Sequence, residues 1–100
     1  MPEVARGTAT DSVNTGHGCD ATTTTDVCSS NVLVNGIGAC RKGDAITTHN
    51  TPSGDNCVPH TPAINAGSDT VFVNGIPIAR NGDSADSGNI SSGSSDVIAG

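Results

Sequence analysis

The chain has no tryptophan, no tyrosine and no glutamine, and one residue each of Phe, Leu, Met, Glu and Lys. Leu, Glu, Lys, Arg, Met and Gln together number 7 of 100 residues, while 13 glycines and 5 prolines interrupt every stretch. That excludes an extended helical protein. Val, Ile, Leu and Phe make up 18 residues, against 45 for Gly, Ser, Thr and Asn, so a conventional core of large side chains is excluded too. No apolar run approaches the ~20 residues of a membrane-crossing helix. Residues 1–18 lack the basic start and apolar stretch of a secretory signal, which predicts a soluble chain without N-terminal export. Positive charge is scarce: Arg6, Arg41, Lys42 and Arg80 stand against 10 acids, for a net −6. Without clustered cations or stacking aromatics, nucleic acid is not an expected partner. With Glu3 as the single glutamate, no paired-glutamate mechanism exists, and so small a chain of turns offers little volume for a pocket. No enzyme is expected.

A single domain over residues 1–100 fits the length, with a folded surface of about 5,000 Å². So few branched aliphatics would border on disorder, but a repeat argues against it. Ser29–Asp44 aligns without gaps onto Ser68–Asp83 at an offset of 39, with identities including Val32/Val71, Val34/Val73, Asn35-Gly36/Asn74-Gly75, Ile37/Ile76, Arg41/Arg80 and Gly43-Asp44/Gly82-Asp83. A truncated copy, Gly93–Gly100, matches the start of the unit, and Val4-Ala5-Arg6-Gly7-Thr8 matches its end. Disorder is then confined to the ends and Thr22–Thr25.

Each unit reads as a hairpin. Val32–Val34 and Val71–Val73 are β-favouring runs, followed by Asn-Gly turns that want φ > 0. Return strands are expected over Ile37–Arg41 and Ile76–Arg80, with Pro77 at an edge or bulge. Gly43-Asp44 and Gly82-Asp83 form second turns whose aspartates can bond nearby backbone amides. Units this small cannot bury a face alone, so three of them should stack about a pseudo-threefold axis. The first and last fragments would pair to complete one unit, leaving no open edge. The expected fold class is all-β: a small cone of short hairpins with few or no helices.

Four cysteines, Cys19, Cys28, Cys40 and Cys57, would be reduced in a chain made without export. Neighbouring histidines favour metal binding over disulfides, although Cys19-x8-Cys28 fits no standard zinc knuckle. The competing reading is a small secreted binding module, disulfide-stabilised through Cys19–Cys28 and Cys40–Cys57.

Pro77-Ile78-Ala79-Arg80 followed by Gly82-Asp83 resembles the Pro-Ala-Ala-Arg signature of the PAAR-repeat proteins. Gly38-Ala39-Cys40-Arg41 and Glu3-Val4-Ala5-Arg6 are similar to degenerate copies of it. Thr15-Gly16-His17-Gly18-Cys19, the Val-Asn-Gly turns and the Gly-Ser-Ser-Asp-Val ending also resemble short members of that family, so the resemblance covers nearly the whole chain. It implies a cone whose base caps the C-terminal end of a trimeric β-helical spike, one chain per trimer, and whose apex holds one metal ion, zinc or iron. Such proteins tip contractile phage tails and bacterial type VI secretion machines. The resemblance therefore places this chain in a virion, at the tail baseplate after assembly in the host cytoplasm, or among type VI secreted proteins, with transient contact to a target outer membrane. The chain stops directly after the last repeat, so no fused effector is expected.

Three histidines and one cysteine are the family's ligands, which the resemblance carries onto His17, His49 and His60, the only histidines present. The family pattern would place the cysteine roughly at Ser87, and a serine oxygen is a poor zinc ligand. Either Cys19 or Cys57 substitutes, or Asp86 or water completes the shell, or the site is empty. Cys28 and Cys40 are expected to be buried thiols. Val4, Val97 and Ile98 are the candidate base contacts to the spike.

Overall fold

The computed structural model describes residues 1–100 and consists of short strands and turns with no helix. The strands are β1 (Ser12–Asn14), β2 (Thr22–Thr24), β3 (Leu33–Val34), β4 (Ile37–Gly38), β5 (His49–Ser53), β6 (Asn56–His60), β7 (Phe72–Val73), β8 (Ile76–Pro77), β9 (Ser84–Ala85) and β10 (Gly88–Ile90). β3–β4 and β7–β8 are the expected repeat hairpins. Their turns hold Asn35-Gly36 at φ 56° and 78° and Asn74-Gly75 at φ 54° and 77°, the paired left-handed conformation that matches strand twist.

The return strands are shorter than expected, and the reason is the threefold arrangement. After two residues each leaves its own hairpin and bridges to the next unit: Arg6 to Ala39, Arg41 to Ile78, Arg80 to Val4. Ala5, Cys40 and Ala79 hold matching positions in the three units and close a ring of backbone hydrogen bonds. The Ala5 N–H donates to Ala79 O (3.0 Å), the Ala79 N–H to Cys40 O (2.8 Å) and the Cys40 N–H to Ala5 O (3.0 Å). Three segments of the chain meet here with 0% exposure, which only small side chains permit. The third unit is completed by the two chain ends, where the Val4 N–H donates to Val97 O and the Ala99 N–H to Pro2 O.

Each repeat arginine is clamped. Arg41 donates through Nε and Nη2 to both oxygens of Asp44 (2.9 Å each), and Arg80 does the same to Asp83 (3.0 Å each). Arg6 forks onto Asp11 (3.0 and 3.1 Å), five residues on instead of three, because Thr8 and Ala9 turn through positive φ. The same carboxylates accept the arginines' own backbone N–H groups, so each Arg–Asp pair fixes a turn as well as a charge.

Apolar packing forms two tiers. Val4, Val34, Ala39, Val73, Ile78 and Ala99 fill the level near the Asn-Gly turns. Above them lie Ala5, Val13, Cys28, Cys40, Ile46, Ile64, Ala79, Ala85 and Ile90. The total surface is 4777 Å², and the molecule extends 41 × 23 × 23 Å, with two equal short axes as expected of threefold packing about the long one.

Three expectations are corrected. Thr22–Thr25 is not disordered: Thr22–Thr24 pairs with β1, and buried Thr25 donates its hydroxyl to Arg6 O. All four cysteines are bonded, as Cys19–Cys57 and Cys28–Cys40, in neither the reduced state nor the alternative pairing. Folding brings those pairs to Cα separations of 6.0 and 4.8 Å, within disulfide reach. Val4 is 1% exposed and belongs to the lower tier, so it is not a surface contact.

Ile46 has no exposed surface, whereas Leu33 is more than half exposed. Ile46→Ala should therefore cost about 3 kcal/mol of stability and Leu33→Ala less than about 0.5 kcal/mol. Denaturant unfolding of the disulfide-intact protein measures both; equal losses would contradict the two-tier core.

Candidate metal centre

Beyond the upper tier polar groups converge. β5 and β6 form the longest hairpin, and their register sets His49 opposite His60. Pro52 and Pro59 are tolerated because this ribbon pairs with no third strand. His17 arrives on the loop after β1. Fully buried Thr15 anchors that loop by donating its hydroxyl to Asp20 O (2.6 Å), and Asp20 Oδ2 in turn accepts the Asn50 N–H of β5 (2.7 Å). Asp86 comes from the two-residue turn between β9 and β10, at φ 54°, a left-handed conformation that aspartate tolerates better than most residues. Asn65 Nδ2 donates to its carbonyl (2.9 Å) and fixes the turn.

Four donor atoms meet. The Nε2 atoms of His17 and His49 each lie 2.8 Å from Asp86 Oδ2, and that of His60 lies 3.4 Å away. The three Nε2 atoms stand 3.2, 3.2 and 2.9 Å from one another. A regular tetrahedron with ~2.0 Å from centre to corner, the usual zinc–nitrogen length, has edges of about 3.3 Å. The six separations here are of that size.

Hydrogen bonding behind the rings decides which atoms face inward. His17 Nδ1 lies 2.8 Å from Gly18 O and His49 Nδ1 lies 2.8 Å from Thr47 O. A carbonyl only accepts, so each Nδ1 carries the proton and each neutral ring turns an Nε2 lone pair toward the carboxylate. Lone pairs packed this closely, with side-chain exposure of 4% at His49 and 5% at Asp86, repel unless protons or a cation lie among them. The donor set fits a divalent cation: neutral imidazoles with one carboxylate suit zinc and iron alike. When bound, such an ion would join three separate segments of chain in one coordination shell.

A family model for the PAAR motif matches residues 13–89. The chain belongs to the PAAR family. No curated protein matches it. PAAR proteins cap the spikes of contractile injection systems as structural tips, and their motifs bind a metal. In this PAAR protein the structure brings His17, His49 and His60 together, as carried over from the family pattern, with Asp86 as the fourth group. Cys19 and Cys57 are not available to it as thiolates, since each is bonded to the other. Neither thiol is therefore free to be the expected fourth ligand, and Asp86, one of the alternatives the sequence left open, stands beside the three histidines. Ser87, at the position expected of the family cysteine, contributes backbone instead: its N–H donates to Thr15 O (3.0 Å) and fastens the His17 loop beside Asp86. Gly16 packs so close to the Ser87 carbonyl that a Cβ would overlap it.

Two of the four groups at the centre carry shifted pKa values. The backbone carbonyl of Gly18, followed by Asp86, holds the His17 imidazolium above its ordinary 6.5 against some desolvation. Burial alone would raise Asp86, but hydrogen bonds from His17 and His49 and the charges of His17 and His60, which act when the rings are protonated, outweigh it and hold the carboxyl below 3.8.

The signs give a test. His17 has a raised value in the folded chain, so its contribution stabilises the metal-free protein as pH falls from 8 toward 6, and the contributions of Asp86, Asp11 and Asp96, all lowered, are lost as pH falls below 3.8. Zinc competes with protons for the same nitrogens, so the zinc-dependent increment in Tm should shrink over pH 8 to 6. Asp86→Asn should weaken zinc affinity by at least about tenfold, the least that even outer-shell changes cost. Titration calorimetry and Tm with and without chelator measure these effects; parallel pH slopes in the two forms would contradict a metal at the histidines.

Proposed function

We propose that this protein is the tip of the central spike of a phage baseplate, with one zinc ion held by His17, His49, His60 and Asp86. The observation that carries the reading is the closed threefold ring of backbone bonds, by which one chain presents three matching faces. A true trimer ends in three equivalent surfaces, and a single chain can cap it only by repeating its own contacts at about 120°. Leu33, Phe72 and Ile98 occupy matching positions, next to the Asn-Gly turns in the first two units, and are 57%, 54% and 52% exposed. Apolar side chains at equivalent points are what a trimeric β-structure's blunt end can cover. In this reading Ile98 keeps its expected role and Leu33 and Phe72 join it. Half-buried Val97 packs on the lower tier beneath them.

The mechanism is mechanical. The base is rigid because its strands pair in a ring, and the narrow end is rigid because one coordination shell ties three segments. Sheath contraction would then drive a stiff point against an outer membrane, with no bond chemistry at the tip. The same geometry would serve a type VI spike; the spike that co-purifies from the native source separates the two settings.

Native mass spectrometry with the spike's C-terminal β-helix should give one chain per trimer, and a 3:3 complex would contradict the capping geometry. Phe72→Asp should weaken that complex by at least about tenfold if Phe72 lies in its buried centre, while Asp55→Asn at the far end should leave it unchanged.

A further inference from the structure

We propose that Cys19–Cys57 is a reversible thiol-modification site that sets how firmly the tip holds its metal, an inference that rests on the metal centre proposed above. The two disulfides differ in access: Cys28 and Cys40 are 7% and 0% exposed, whereas Cys19 and Cys57 both lie at the surface. Their placement differs as well. Cys28–Cys40 lies within the upper tier. Cys19–Cys57 joins the loop that carries His17 to the hairpin that carries His49 and His60. Direct hydrogen bonds between that loop and the hairpin backbone are few and open to water: the Asn50 N–H to Asp20 Oδ2 and the Asp20 N–H to Asn50 O (3.3 Å). Thr15 and Ser87 fasten the base of the loop beside Asp86, and the covalent link adds a tie from the loop directly to the hairpin that does not yield when water competes for those hydrogen bonds.

The chemistry that opens it is thiol–disulfide exchange. One thiolate of a dithiol reductant attacks Sγ of Cys19 or Cys57, the protein S–S bond breaks, and the other cysteine leaves and takes up a proton. The reductant's second thiol resolves the mixed disulfide, releasing the second cysteine as a thiol. Two electrons pass to the protein sulfurs and the reductant ends as its own disulfide. A disulfide-class oxidant reverses the step. In a reducing compartment the tip is thus loosely braced and open to metal exchange, and on passing to an oxidising one it is locked.

The test uses the whole protein, zinc as probe, and three forms: oxidised, partially reduced, and the Cys19→Ser/Cys57→Ser double variant. Graded dithiol followed by alkylation and mass mapping should modify Cys19 and Cys57 before Cys28 and Cys40; simultaneous or reversed opening overturns the proposal. All forms should bind about one zinc, but transfer of zinc to a chelator should be at least about tenfold faster in the two open forms, since chain entropy is restored to the loop. Equal release rates, or tighter retention in the reduced form because a freed thiolate enters the shell, overturn the proposal while leaving the metal centre standing. If no form takes up zinc, the metal centre itself fails. Amide exchange then decides the clamp alone: protection lost at residues 17–20 and 49–60 but kept at Ala5, Cys40 and Ala79 upholds it, and unchanged protection overturns it.

Discussion

A chain folded around a threefold axis must bring three backbone segments together at its centre, where only small side chains have room. Every other feature of this protein answers that constraint. Residues the size of Val and Ile fill both tiers. At the ring, where three backbones meet, only Ala and Cys fit, and main-chain hydrogen bonds replace side-chain packing. Past the upper tier three imidazoles and a carboxylate converge. Small proteins with thin cores need cross-links or metals, and this one has two disulfides and a site shaped for a metal.

The same constraint accounts for the repeat signature. Arginine and aspartate recur because each unit must turn from the ring into its upper loop while its backbone N–H is left without a strand partner. The aspartate accepts that N–H and the guanidinium together. Three of the four cations are occupied in this way, which leaves Lys42 as the one basic side chain outside such a pair.

Much of this was legible because it depends on local chemistry. Asn35-Gly36 and Asn74-Gly75 announced their turns through the only residue types that accept both left-handed conformations cheaply, and the matched fragments at the two ends foretold their pairing. The three histidines were legible through the family pattern. What stayed hidden depends on the fold as a whole. Strand lengths were overestimated because bridging to a neighbouring unit leaves no mark in the sequence of a hairpin. The β5–β6 hairpin carries no signal of its own, since Pro52 and Pro59 argue against strands unless the ribbon stands apart from any sheet. Cysteine pairing depended on distances that spacing does not contain, and Val4 was misplaced at the surface because burial at the ring follows from threefold closure.

One chain imitating a trimer, closed at its point by a metal held through nitrogen and oxygen alone, is the account's central claim. X-ray absorption at the zinc edge of the oxidised protein tests it most directly. The account predicts a four-coordinate shell of light atoms at about 2.0 Å, dominated by imidazole scattering. A sulfur contribution near ~2.3 Å would mean that a cysteine, and not Asp86, completes the site; protein devoid of bound metal after exposure to zinc would remove the site altogether.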